Sequence, residues 1–179
     1  MQDKRFHSVR LDKEKCRGCT NCLKRCPTEA IRVRAGRAHI IDERCIDCGE
    51  CIRVCENHAK YALTDPLATI NDFKYKIALP APSLYGQFKK LISPSQILEG
   101  LLHMGFDDVF EVASGADIVT RAIRERMRSM SPERFPVISS ACPAITRLIQ
   151  VRFPELIPHI IDMRQPMEVA AMVAKREFC

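Results

Sequence analysis

The chain has 179 residues, which suits one medium domain or two small ones, and 46% of them are hydrophobic, enough for a modest core. It has ten cysteines. Its net charge is +6, and the first 63 residues contribute +5 of this charge. No apolar run of about 18 residues and no basic run of about five residues occurs, which argues against a membrane span and against nucleic-acid binding. The charged start MQDKRFHSVRLDKEK lacks a signal-peptide core, so a cytoplasmic location is expected, where dense cysteine indicates metal rather than disulfides.

The first feature along the chain is a cysteine motif that occurs twice. Residues 16–26 and 45–55 each read C-x2-C-x2-C-x3-C, and every cysteine of the second copy follows its counterpart by 29 positions, which indicates an internal duplication. Three cysteines at such intervals in a tight loop suit three corners of one iron–sulfur cube. Structural zinc instead uses two C-x2-C pairs with a longer loop between them. We therefore expect iron–sulfur clusters, with zinc or a disulfide framework as the alternatives.

Residues 1–63 resemble a bacterial-type dicluster ferredoxin domain, on the strength of these two motifs. The resemblance implies a small α+β sandwich with pseudo-twofold symmetry that binds two [4Fe–4S] clusters and transfers single electrons. In such domains the fourth cysteine of each motif binds the other cluster, and here it is expected to open a short helix. The implied ligands are Cys16, Cys19, Cys22 and Cys55 for cluster 1, and Cys45, Cys48, Cys51 and Cys26 for cluster 2. The stretch RAGRA (34–38) is expected to form the hairpin between the halves, and Asn57 and His58 to start the second short helix.

After a predicted linker (64–75), strand patterns alternate with helix patterns over residues 76–179. The predicted strands are YKIALPA, FDDVFEV and FPVISS, and the predicted helices are SPSQILEGLLHMG, GADIVTRAIRERMRSM, PAITRLIQVRF and PMEVAAMVAKREF. In the first of these helices we expect Ser93 as N-cap, a capping box with Gln96, an apolar face that includes Leu102, and a stop at Gly105. The alternation predicts a parallel sheet with function at the carboxyl ends of its strands. The predicted fold class is thus an α+β dicluster ferredoxin fold followed by a partial α/β domain with a parallel sheet.

A further cysteine, Cys142, stands between the third predicted strand and the helix after it. By composition alone, a buried and inert cysteine is the simplest interpretation. A thiol at a helix N-terminus also has its thiolate form favoured, and a nucleophile there would need a base such as His103 or His159. Both interpretations stay open at the level of the residues.

The stretches EVASGADIV (111–119) and SSACPAITRLIQVRFPELIPHI (139–160) resemble the H-cluster domain of [FeFe]-hydrogenases. The resemblance implies that Cys142 is a ligand of the cubane half of the H-cluster. It also implies that Ala141 replaces the cysteine that transfers protons, as in members interpreted as sensors. The three cysteines of the two later family motifs do not follow Cys142, and Cys179 is interpreted as an ordinary residue. An H-cluster is therefore expected only if a longer chain or a partner supplies the missing remainder of the domain.

These observations predict the N-terminal part of an [FeFe]-hydrogenase-like electron-transfer protein, of the sensory kind, that exchanges electrons with a redox partner protein. Ala141 and the missing motifs support one alternative, a non-catalytic ferredoxin-type carrier with a docking domain. The other alternative is an active hydrogenase, which requires that the chain continues. Whether the protein is an enzyme is left open by the sequence.

Overall fold

The computed structural model describes residues 7–88 and 91–178; residues 1–6, 89–90 and 179, including the prediction for Cys179, lie outside the described residues. Contacts divide the chain into two compact units. The first comprises the described residues up to Asp65 together with Pro143–Pro158, and the second comprises Pro66–Cys142 together with the described residues from His159. The boundaries predicted at residues 63 and 76 concern which segments fold as domains. A division by contacts does not test this, so these boundaries stay a prediction.

The first unit is built on short antiparallel strand pairs, as the α+β prediction requires. Strand β1 (Val9–Leu11) pairs with β4 (Lys60–Ala62), and β2 (Ile31–Arg34) pairs with β3 (Arg37–Ile40). The register leaves only two residues in the turn between β2 and β3. Both of them, Ala35 and Gly36, have positive φ angles, of 48° and 69°, which is the signature of a type I′ hairpin turn. The hairpin predicted at 34–38 is therefore confirmed.

Two short helices, α1 (Asn21–Arg25) and α2 (Glu50–Arg53), complete the core of the first unit. The second short helix was expected to start at Asn57 and His58, and this prediction is wrong because α2 ends before them. His58 has a left-handed φ angle of 48°, and the chain after it continues into strand β4 at Lys60 rather than into a helix. Its backbone amide instead donates a hydrogen bond to the carbonyl of Cys55 at 2.9 Å.

Helix α6 (Pro143–Arg152) also packs within the first unit. The side chain of Arg147 donates a hydrogen bond to the carbonyl of Glu43 at 2.7 Å, and Arg152 lies 3.7 Å from the carboxylate of Glu29. The helix predicted here is thus confirmed, and its basic face contacts the segments beside the two cysteine motifs.

The second unit contains a parallel strand pair, β5 (Ile77–Ala78) with β6 (Asp108–Val109). The predicted strands YKIALPA and FDDVFEV are therefore in place but too long. Pro80 follows β5 closely and lacks the N–H that a longer ladder requires. The third predicted strand is wrong as a regular strand: Ile138 forms only an isolated parallel bridge with Ile160.

Helices make up most of the rest of the second unit. They are α3 (Pro82–Tyr85), α4 (Pro94–His103), α5 (Val112–Arg128) and α7 (Pro166–Phe178). Helix α4 has the predicted capping box, in which Ser93 Oγ accepts from the Gln96 amide at 3.3 Å and Gln96 Oε1 accepts from the Ser93 amide at 2.9 Å. Its expected apolar face is narrower than predicted, because Leu102 is 45% exposed.

Helices α5 and α7 pack closely through small residues. Helix α5 begins at Val112, three residues before the predicted start, so Gly115 lies inside its first turns. A Cβ atom at Gly115 would stand 3.0 Å from the Cβ of Ala170, which is fully buried in α7. Glycine at this position therefore lets the two backbones approach. In the part of the chain that the structure describes, no helix has the length and apolar character needed to cross a membrane.

Candidate metal centres

The first unit contains two cavities of nearly equal size, each lined by four cysteines. The first cavity is lined by Cys16, Cys19, Cys22 and Cys55. The second cavity is lined by Cys26, Cys45, Cys48 and Cys51. All nine cysteines that the structure describes carry free thiols. The fold thus brings together the four thiols of each predicted ligand set, and the assignment of ligands to clusters remains a prediction.

The path of the chain through each motif differs from the one expected. The fourth cysteine was predicted to open a short helix, but the helix α1 begins before it, contains Cys22 and ends at Arg25, so that Cys26 is its C-cap. Helical geometry would keep residues four positions apart on one face. Cys26 has an extended backbone, with φ −75° and ψ 115°, so the helix ends before this alignment is completed. The end of the helix, rather than its beginning, therefore sends the fourth thiol to the other cavity.

The duplication seen in the cysteines is also present in the backbone. Three pairs of residues separated by 29 positions have positive φ angles in both copies: Gly18 and Asp47 (68° and 55°), Thr20 and Gly49 (68° and 74°), Glu29 and His58 (53° and 48°). Because left-handed residues are uncommon outside glycine, this repetition shows that both motifs fold into the same loop.

Gly18 allows the loop of the first motif to approach the hairpin turn closely. A Cβ atom there would stand 2.8 Å from the carbonyl oxygen of Gly36, in the turn between β2 and β3. A Cβ at Gly49 would meet nothing within 4 Å. The crowding at Gly18 therefore comes from the protein's own hairpin, and it occurs in only one of the two motifs.

Backbone amides donate hydrogen bonds to several cysteine sulfurs. The amide of Ala30 donates to Cys26 Sγ and the amide of Ala59 donates to Cys55 Sγ, both at 3.2 Å, and these pairs again differ by 29 positions. The amide of Ala38 donates to Cys16 Sγ at 3.4 Å. Hydrogen bonds to sulfur stabilise the negative charge of a thiolate and are one of the factors that set cluster potentials.

The thiols differ in how readily they ionise. Burial raises the pKa of Cys22, Cys45 and Cys51, the last to about 11. Burial also acts against ionisation of Cys16, but backbone hydrogen bonds, led by the one from Ala38, outweigh it and lower the pKa of that thiol. Because thiolates are the ligands of iron, metal binding must release protons from the buried thiols.

The chemistry of both cavities fits a [4Fe–4S] cluster. Four thiols form the donor set that such clusters use, and a cluster bound by four thiolates is an anion of about −2 in its oxidised form. The first cavity is lined in addition by Lys60, which is only 3% exposed. Its Nζ has no hydrogen-bond partner among the described residues, so an anionic group in this cavity would supply a missing counter-charge.

Two side chains beside the second cavity were missed by sequence reasoning. His7 is 8% exposed, and its Nε2 lies 2.9 Å from Asp42 Oδ1. The ligand atoms of His7, Cys45 and Asp47 lie within 4.8 Å of one another. The Asp47 carboxylate already accepts a hydrogen bond from the amide of Ser8 at 2.7 Å. These contacts tie the start of β1 to the second motif, a long-range pairing that no local pattern reveals.

Cys142 lies in the second unit and is exposed, so the interpretation as a buried inert cysteine is wrong. The segment before it is fixed by Ser140, whose hydroxyl donates to the carbonyl of Met163 at 3.0 Å. His103 and His159 donate from Nδ1 to main-chain carbonyls at 2.9 and 3.2 Å, and neither ring forms a hydrogen bond with Cys142. Cys142 as a cluster ligand stays a prediction.

Comparison with known proteins agrees with both resemblances. A family model of the iron-only hydrogenase large subunit, C-terminal domain, matches residues 74–179, and a model of the 4Fe–4S dicluster domain matches residues 8–56. The chain is 29% identical to the periplasmic [Fe] hydrogenase large subunit of Nitratidesulfovibrio vulgaris, over 96% of this chain and 45% of the relative. It is 26% identical to iron hydrogenase 1 of Clostridium pasteurianum, over 98% of this chain and 35% of the relative. The chain spans less than half the length of these curated relatives.

Proposed function

The chain belongs to the iron-only hydrogenase large subunit family, and on that premise we propose that it binds two [4Fe–4S] clusters and relays single electrons to or from its hydrogenase-like part. The observation that carries this proposal is the pair of cavities, each lined by four cysteines drawn from both copies of the motif. In a protein that joins a dicluster domain to a hydrogenase domain, the two clusters can pass electrons to or from the hydrogenase domain.

The residues of the first unit have defined tasks in this proposal. A bound [4Fe–4S] cluster supplies one-electron chemistry, with its potential set by charge, hydrogen bonding and exposure. Cys16, Cys19, Cys22 and Cys55 hold one cluster as thiolates, and Cys45, Cys48, Cys51 and Cys26 hold the other. Cys19 and Cys48 are the exposed members of the two sets, and they provide the edges at which electrons enter or leave. The crossed sets tie the two halves of the unit together, so loss of one cluster is expected to lower the stability of both halves while the other cluster stays bound.

The second part of the chain is proposed to be the beginning of an H-cluster domain, over residues 76–179, with Cys142 as one cubane ligand. Ala141 has no group that carries a proton, which supports a sensory member of the family over one with fast turnover. A full H-cluster in this proposal needs further cysteines from a longer chain or a partner.

A non-catalytic electron carrier is the second candidate, and Ala141 together with the exposed Cys142 favours it. Here the second part of the chain only docks the redox partner. The two candidates separate in one assay. Hydrogen uptake or evolution by the protein from its native source, after H-cluster maturation, supports the hydrogenase-like role, and its absence supports the carrier.

We propose the cytoplasm as the location because dense free thiols persist in reducing compartments, and cell fractionation tests it.

Iron analysis of protein purified without oxygen tests the relay directly. Two clusters correspond to about eight irons per chain, and about four or none would refute the proposal.

Serine variants then test the ligand sets. Cys55→Ser and Cys16→Ser should abolish the same electron paramagnetic resonance signal of the reduced protein, whereas Cys51→Ser should abolish the other. Cys142→Ser is the matched control and should leave both signals in place. Loss of the same signal from Cys55→Ser and Cys51→Ser would overturn the crossed assignment.

A further inference from the structure

Lys60 is the most unusual side chain of the first unit. It opens β4 opposite Leu11 of β1, and it is 3% exposed although the next residue, Tyr61, is 46% exposed. Lysines are almost never fully buried unless they are paired, because removing an ammonium from water is costly. Among the described residues its Nζ has no hydrogen-bond partner. A charged group in this position requires an anion, which the residues that the structure describes do not provide.

The internal duplication shows that packing does not explain this lysine. The residue 29 positions earlier is Ile31, which opens β2, is 2% exposed and lines the second cavity as Lys60 lines the first. An apolar side chain therefore fills the same place in the other copy. The lysine adds a charge where the fold itself accepts a hydrocarbon.

The other charged residues that line the two cavities also make the first cavity more positive than the second. Arg17 lines the first cavity, where its counterpart Ile46 lines the second; Asp47 and Glu50 line the second cavity, where their counterparts Gly18 and Asn21 line the first. The first cavity thus has two cationic side chains in its wall and the second has two anionic ones. Arg17 is exposed and Glu50 is paired with Arg53 at 2.7 Å, so solvent and pairing weaken their effects. Lys60 is buried and is therefore the strongest of these charges.

The charge of Lys60 acts most strongly on the cavity that it lines. Only the first cavity has Lys60 in its wall. The effect on a bound anion is therefore expected to be larger there.

We propose that Lys60 makes the two clusters unequal, so that the cluster held by Cys16, Cys19, Cys22 and Cys55 has the higher reduction potential and receives the electron first. This inference rests on the proposed function, since it requires both clusters. Reduction adds one electron from the redox partner, or from dithionite in an assay, and no bond forms or breaks. The added negative charge lies beside an ammonium in one cavity and beside carboxylates in the other. Lys60 thus acts by determining which of the two clusters is reduced first.

Redox titration of the wild type and its Lys60 variants, followed by visible absorbance and electron paramagnetic resonance, tests this proposal. The wild type should show two midpoint potentials. Lys60→Ile places the residue of the other copy in the first cavity, and it should lower the higher potential more than the lower one. We expect at least a tenfold change in the reduction equilibrium, which is about 59 mV for one electron. Lys60→Arg keeps the charge and should stay near the wild type. Lys13→Ile removes the same formal charge from an exposed position and should change neither potential.

The outcomes separate the two levels of the argument. A wild type that lacks about eight irons refutes the proposed function itself. A fully loaded wild type with two equal potentials, or a loaded Lys60→Ile variant with unchanged potentials, overturns the role of Lys60 alone. If Lys60→Ile does not load iron, Lys60→Gln is titrated in its place. If neither neutral variant loads while Lys60→Arg does, charge is the property required and the proposal stands. If Lys60→Arg also fails to load, shape is the property required and the proposal falls.

Discussion

Replacing Gly18 by alanine should weaken the first unit far more than the same replacement at Gly49. Both glycines have left-handed backbones, with φ angles of 68° and 74°, so each substitution has a strain cost of about 1–2 kcal/mol. Only at Gly18 does the new Cβ overlap a neighbour, at 2.8 Å from the carbonyl oxygen of Gly36. Overpacking of this kind costs about 1–3 kcal/mol. At Gly49 the surroundings are open, and Thr20 shows that the equivalent position of the other copy accepts a side chain.

The assay for this prediction compares how fast the loaded variants lose iron to a chelator at one fixed denaturant concentration without oxygen. A difference of about 1–3 kcal/mol corresponds to a rate ratio of about 5 to 150 between Gly18→Ala and Gly49→Ala. Gly49→Ala is the matched control, because it shares the backbone strain and lacks the overlap. Equal rates for the two variants would refute the reasoning, since they would mean that the hairpin turn moves away from Gly18 at no cost.

Two further predictions concern the second unit. Gly115→Ala should lower the thermal midpoint, because its Cβ would overlap the Pro166 carbonyl oxygen and stand 2.9 Å from the Ala170 nitrogen, and overpacking costs about 1–3 kcal/mol. Gly100→Ala, in open space within α4, should leave the midpoint unchanged or raise it, and equal losses would contradict the close packing of α5 on α7. Burial, with a hydrogen bond of 2.6 Å to Glu111, raises the pKa of Tyr85 to about 12. The resulting stability should be fully present below the ordinary tyrosine pKa of about 10 and be lost as the pH rises toward 12. A tyrosinate absorbance titration checks this, and Tyr85→Phe should remove the last transition; an unchanged titration would contradict it.

Local patterns predicted the elements whose signals lie close together in the chain. The capping box of Ser93 and Gln96 formed as expected, because all of its atoms come from one helical turn. The hairpin at 34–38 formed because the pairing of Arg34 with Arg37 leaves a turn of two residues. A type I′ turn of this length needs positive φ angles, which Gly36 adopts readily. Strand lengths were predicted less well. FPVISS has the composition of a strand, but a ladder needs a partner at every residue, and only Ile138 is paired.

The sequence by itself determined the two cysteine motifs, their separation of 29 positions and the family to which they and the segment around Cys142 point, because ligand spacing and duplication are properties of the chain. Tertiary structure alone decided what distinguishes the two copies. Lys60 has the appearance of a surface lysine in the sequence, and only folding shows it buried in the place that Ile31 occupies in the other cavity. The crowding of Gly18 by Gly36 is likewise a contact between segments far apart in the chain. Charge and crowding act through space, so residues that are equivalent in the repeat acquire different surroundings once the chain has folded.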